Sequence, residues 1–171
     1  MLELLDKAET DAINLLHYRT NSARYDQGWV GYRIIFGDLV TERVQTKFNG
    51  LTYELDRNIP VRFNVRNRHY HTGPLAMKIV EGVYFMERGE GELTSPPISQ
   101  GIIPIGSSYQ MLRRDEWHNI APETEVYTFG IMGEPFSVSP DIPRGLSVER
   151  LDQEAIDSVK NFFKKKLRLQ L

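Results

Sequence analysis

The rhythm of short strands between Trp29 and Met132 constrains this chain more than any other feature. Runs rich in β-branched and aromatic residues alternate there with turn signals, a spacing that suits a β-sandwich or barrel and disfavours units in which strands alternate with helices. The clearest unit is Arg43–Phe48, Asn49-Gly50 and Leu51–Leu55, because an Asn-Gly pair supplies the positive φ angles of a two-residue type I′ turn. Further strands are expected over 59–71, 75–87, 98–105, 108–113 and 117–132.

A helix is expected on each side of this region. Leu2, Leu5, Ala8, Ala12 and Leu16 recur at helical spacing, which predicts an amphipathic helix over 1–20, and Thr20 to Gly28 reads as a polar loop. After Gly133 the prolines of PFSVSPDIPRG exclude helix interiors and central strands, so 133–146 reads as a connecting loop. A second helix is expected over 147–171, with Ser147 as its N-cap and Leu151, Ala155, Val159, Phe162 and Phe163 in its apolar stripe. Its acids come early and Lys160, Lys164, Lys165, Lys166 and Arg168 come late, the order that suits the helix dipole. At 171 residues the chain is long enough to bury its own core, and 1–171 is read as a single domain.

Composition narrows the functions. With 21 basic and 23 acidic residues the chain has no overall attraction for polyphosphate, so nucleic acid is not an expected partner and a small molecule is. The start MLELLDKAETD lacks the basic and apolar regions of a secretory signal. No stretch approaches the roughly 20 apolar residues that span a bilayer, so a cytoplasmic protein without a membrane partner is expected. There is no cysteine, so any metal must be held by imidazole or oxygen.

Four histidines occur, and two of them are His69 and His71. Residues two apart on a strand point to one side. The apolar alternation of Val61, Phe63 and Val65 runs on to both histidines and predicts that they face inward. Two neighbouring imidazoles in an apolar interior need partners for their ring nitrogens, and one metal ion satisfies both. His118, entering a strand after the polar turn Asp115-Glu116, completes a set of three neutral nitrogens suited to Fe, Zn, Mn, Ni or Cu. His17 reads as a surface or packing residue of the first helix.

With these residues in view, the chain resembles the cupin superfamily. His69-Tyr70-His71 followed by Ile79-Val80-Glu81-Gly82 is similar to the first cupin motif. Arg113-Arg114-Asp115-Glu116-Trp117-His118 matches the second in spacing but lacks its proline and glycine. The motif's usual glutamate falls near Leu75 or Ala76 and is missing. The resemblance implies a double-stranded β-helix, or jelly-roll barrel, over 29–132. A three-histidine set without glutamate, with Thr72, Lys78 and Gly82 and the segment from His118 to Pro135-Phe136, is similar to the thiol dioxygenase branch.

In that branch an arginine ahead of the histidine pair holds a substrate carboxylate, and the resemblance puts Arg43 there; from its place on an exposed hairpin strand, however, Arg43 reads first as a solvated residue. The branch's Ser-His-Tyr relay is not matched around Gly130 to Gly133. Strand parity adds Met77, Tyr109 and Tyr127 as substrate-binding candidates and Phe85 and Met111 as pocket or core residues. Glu81 and Glu87 become fourth ligands only under a register shift, Tyr70 faces away, and no residue is assigned a catalytic role.

The expected function is therefore that of a metal-dependent oxidoreductase of the dioxygenase type, with Fe(II) favoured, acting on a small organic molecule. The alternatives are a cupin isomerase, lyase or hydrolase using Zn, Mn or Ni as a Lewis acid, and a ligand-binding cupin without turnover. Because cupins often pair through sheet edges, the resemblance also implies a homodimer.

Overall fold

The computed structural model describes residues 1–17, 28–138 and 145–167. They form helix α1 (Leu2–His17), strands β1 (Val30–Phe36), β2 (Leu39–Phe48), β3 (Leu51–Asn58), β4 (His69–Tyr70), β5 (Leu75–Glu81), β6 (Tyr84–Glu90), β7 (Ser99–Ile103), β8 (Ser108–Met111), β9 (Glu116–Pro122), β10 (Val126–Met132) and β11 (Leu146–Arg150), and helix α2 (Gln153–Lys166). The β2–β3 hairpin turns on Asn49 at φ 50° and Gly50 at φ 75°, as the Asn-Gly pair predicts.

The sheet order is that of a jelly roll. β3 pairs with β10, β4 with β9, β5 with β8 and β6 with β7, all antiparallel, so eight consecutive strands nest as one long hairpin. Rolling that hairpin divides it into two sheets. The first reads β11-β1-β2-β3-β10-β5-β8 and the second β4-β9-β6-β7. The mainly β cupin-type architecture with a helix at each end is thus observed, and it rests on this strand order.

The central strands of the large sheet, β2, β3, β10 and β5, are covered on both faces. Its outer face presents Val44, Tyr53, Leu55, Ala76, Phe129 and Ile131 to α1, through Leu5, Ala8, Ala12, Ile13 and Leu16, and to α2, through Ile156, Val159 and Phe163. Its inner face joins Leu75, Met77, Ile79 and Val126 to Tyr84, Met86 and Ile120 of the small sheet. The backbone approach at Gly89 is equally specific. Gly89 lies opposite Trp117, and a Cβ there would stand 2.1 Å from the indole Cζ2. The indole has no room to retreat, because it is fully buried with the Arg68 guanidinium 4.4 Å above its centroid. Gly89→Ala is expected to destabilise the protein by about 1–3 kcal/mol in urea unfolding; an unchanged midpoint would contradict this packing.

Several expected boundaries are corrected. Residues 59–64 are not a strand: Pro60 removes a ladder donor, and the Asn64 side chain accepts from the Arg66 N–H to cap a single 3-10 turn over Val65–Asn67. Phe63 and Val65 are 46% and 54% exposed, so the alternation expected to aim the histidines does not exist. The run 75–87 breaks at Gly82, φ 81°, and 117–132 breaks after Pro122. Residues 146–150 form an edge strand on β1 instead of opening the last helix, and Asp152, not Ser147, caps α2 by accepting from the Ala155 N–H at 2.8 Å. The loop over 20–27, residues 139–144 of the proline segment and Arg168 lie outside the described residues. Among the described residues, no helix is long and apolar enough to cross a membrane.

Candidate metal centre

Pairing of β4 with β9 puts His69 directly opposite His118, and His71 follows β4 on the same side. The Nε2 atom of His118 lies 2.9 Å from Nε2 of His71 and 3.0 Å from Nε2 of His69. His118 is 3% exposed and the other two are partly buried. The pair is therefore aimed inward by its neighbour strand and not by residues 61–65.

Tautomers can be read from the surroundings. Nδ1 of His69 lies 2.9 Å from the Asn67 carbonyl oxygen, which can only accept, so this nitrogen carries the proton and Nε2 presents a bare lone pair. Asn67 is fully buried, and its Oδ1 accepts from the Asp38 N–H at 3.2 Å, so the β1–β2 turn braces the peptide that orients His69. Nothing in the sequence pattern singles out Asn67.

Burial, above all, lowers the pKa of every one of these rings. At His69 the Asn67 hydrogen bond partly opposes it and Arg43 adds to it, at His71 the effects of His69 and Arg43 follow, and at His118 those of His69, His71, Arg88 and Arg43 follow. Nε2 of His118 thus faces two nitrogens while its own Nδ1 is buried without a protein partner. With Nε2 of His69 unprotonated, Nε2 of His118 cannot both donate to it and accept from His71, whereas a divalent cation at the shared point would take a lone pair from each ring. The donor set fits a borderline first-row metal. At pH 6.5, where a free imidazole is half protonated, long-range ¹H–¹⁵N spectra of metal-free protein are expected to show all three rings neutral. The unfolded chain takes up protons that the folded rings refuse, so the histidines' contribution to metal-free stability falls as pH drops below about 6.5; half-protonated rings in the metal-free spectra at pH 6.5 would contradict the lowered pKa values.

Facing the histidines, the inner side of β2 and β3 is polar. Arg43 Nε and Nη2 donate to the two Asp56 oxygens at 2.8 and 2.7 Å, and Nη1 donates to Glu54 Oε1 at 2.9 Å. Burial works against the Arg43 charge, but the two carboxyl groups more than offset it and its pKa is raised. Burial pushes the Glu54 carboxyl up to about 7, against the pull of Arg43 and with help from Asp56, and Oε2 of Glu54 has no protein partner. The Tyr84 hydroxyl donates to that of Tyr109 at 3.1 Å, and burial raises both phenols, Tyr109 to about 12.

The sequence candidates therefore separate. Arg43, Met77 and Tyr109 line the cavity of about 40 Å³ that touches all three histidines. Arg43 is turned inward and ion-paired, which corrects its reading as a solvated residue. Tyr127 is on the other face of the large sheet, stacked on Phe162 with ring centroids 3.5 Å apart, because inward positions on β10 belong to Val126 and Thr128. Phe85 sits edge-on to Phe63 away from the site, and Met111 belongs to the inner core. Glu81 pairs with Lys166, and Glu87 with Arg68 and Asn119, so neither carboxylate reaches the histidines. His17 is exposed at the end of α1. The Tyr70 hydroxyl donates to the Gly91 carbonyl. A second cavity of about 240 Å³ adjoins the first through Leu39, Thr41, Arg43, His69 and His71, and its outer wall is Ile34, Phe36, Leu146 and Val148. β11, unforeseen in the sequence, supplies two of those walls.

No protein-family model matches the sequence, and no curated protein matches it. Solved structures do resemble the fold. A protein of unknown function from Vibrio parahaemolyticus is 10% identical, with 60% of this chain and 96% of that chain covered and a TM-score of 0.45. Hydroxypropylphosphonic acid epoxidase from S. wedmorenis is 12% identical over 54% of this chain and 50% of its own, with a TM-score of 0.42. The 2-hydroxyethylphosphonate enzyme HEPD of Streptomyces albus, solved with Fe(II) and substrate bound, is 11% identical over 61% of this chain and 25% of its own, with a TM-score of 0.45. This chain thus spans about half the length of the epoxidase and a quarter of the length of HEPD.

Proposed function

We propose that this chain is a metal-dependent oxidoreductase of the cupin type, with His69, His71 and His118 holding divalent iron and a small organic substrate lying in the adjoining pocket. The observation that carries this reading is the convergence of three Nε2 atoms in rings kept neutral by burial, with no carboxylate among them. An imidazole-only set suits iron, as it does zinc, copper and nickel. Iron held there would supply one-electron chemistry toward dioxygen.

The chain's own groups would do the rest. Phe36, edge-on to the His69 ring with centroids 5.5 Å apart, would give the adjoining pocket an apolar lining together with Leu146 and Val148. Tyr109, whose hydroxyl accepts from that of Tyr84, keeps its proton at neutral pH and would serve as a donor on the buried side. Oxygen consumption by iron-loaded protein over a panel of thiols, diketones and small acids tests the reaction. Uptake with one class supports it; oxygen-independent turnover of the same panel would replace it with Lewis-acid chemistry.

A further inference from the structure

Among the described residues, the two cavities that touch the histidines contain one cationic side chain apart from the rings, Arg43. Asp56 takes its Nε and Nη2 protons and Glu54 takes one from Nη1, so three of the five guanidinium donors are spent on carboxyl oxygens. One positive charge thus faces two carboxyl groups, and this wall has no surplus of positive charge. Ile34, Phe36, Leu39, Leu146 and Val148 supply an apolar lining beside it.

A carboxylate or phosphonate on the part of a substrate away from the metal would shed its hydration here and meet a guanidinium already neutralised, with acids behind it. A carbonyl or hydroxyl oxygen loses far less on entry and can accept one of the two remaining Arg43 N–H groups. We propose that this pocket selects substrates whose body is apolar and uncharged, and that Asp56 sets the preference by neutralising Arg43. The inference rests on the three-histidine metal reading above. It departs from the carboxylate-holding role that the thiol dioxygenase resemblance implies for Arg43.

Iron(III)-loaded protein titrated with two hydroxamic acids tests it. Both carry the same chelating head, one with a pentyl tail and the other with a carboxylate ending its tail, and the iron-centred visible band reports each binding curve. The pentyl compound is expected to bind at least about tenfold more tightly to the wild type. In Asp56→Asn, where the wall loses one of its two acids and Glu54 alone faces Arg43, that ratio is expected to shrink at least about tenfold toward the carboxylated compound. Equal or tighter binding of the carboxylated compound by the wild type overturns the inference while leaving the metal site standing. A band with neither compound overturns the metal reading itself. The wild-type ratio decides the matter even if Asp56→Asn does not fold.

Discussion

His118→Ala is expected to strip the protein of its metal, weakening retention by more than about 100-fold, beyond the range seen when only a residue supporting a ligand is lost. His118 is the middle of the cluster: its Nε2 is within 3.0 Å of both other Nε2 atoms, and it is the most buried of the three rings. Removing it leaves only the two nitrogens of His69 and His71, both from the β4 segment, with no ligand across from them on β9. Elemental analysis of protein purified from iron-supplemented cells, with circular dichroism to establish that the variant folds, checks the result. Metal content equal to that of the wild type would mean that the ion is held elsewhere.

Arg43→Ala is expected to cost about 3–5 kcal/mol of stability, the range for leaving one side of a buried ion pair without its partner. Both Asp56 oxygens and Glu54 Oε1 lose their donors at once. The loss must depend on pH. Burial pushes the folded Glu54 carboxyl up to about 7, above its ordinary 4.5, so folding retains a proton that the unfolded chain releases, and the contribution of this carboxyl to stability falls as pH rises through this window, opposite in sign to that of the histidines. Without Arg43 the carboxyl pKa rises further and the window widens. Urea unfolding at pH 5.5 and pH 8 is expected to show a larger deficit for the variant at pH 8; equal deficits would contradict the buried cluster.

What the sequence revealed, and what it concealed, follows from how local each signal is. The β2–β3 hairpin was legible because Asn49 and Gly50 alone determine its turn. The three histidines were legible as a set because the chain holds only four imidazoles and no cysteine, yet the reason for their orientation lies in the pairing of His69 with His118, 49 positions apart. A run of alternating residues upstream of His69 imitated a strand that Pro60 and the Asn64 cap prevent.

The acid–Arg43 wall was hidden for a different reason. On β2 and β3 the apolar side, Val44, Tyr53 and Leu55, faces the helices, and the polar side, Arg43, Glu54 and Asp56, faces the histidines. In a sheet covered on both sides, parity separates the two faces but does not say which one the site occupies. The same ambiguity put Tyr127 in the pocket when it belongs under α2. β11 was concealed because Leu146–Arg150 reads as well for the start of a helix as for an edge strand, and Ser147 and Asp152 are both good N-caps.

X-ray absorption at the iron edge of the loaded protein tests the central claim most directly. The three-histidine centre predicts a nearest shell with the multiple-scattering signature of three imidazoles, reduced to two in His69→Ala. A shell dominated by carboxylate oxygens, or one unaltered by that substitution, would contradict it.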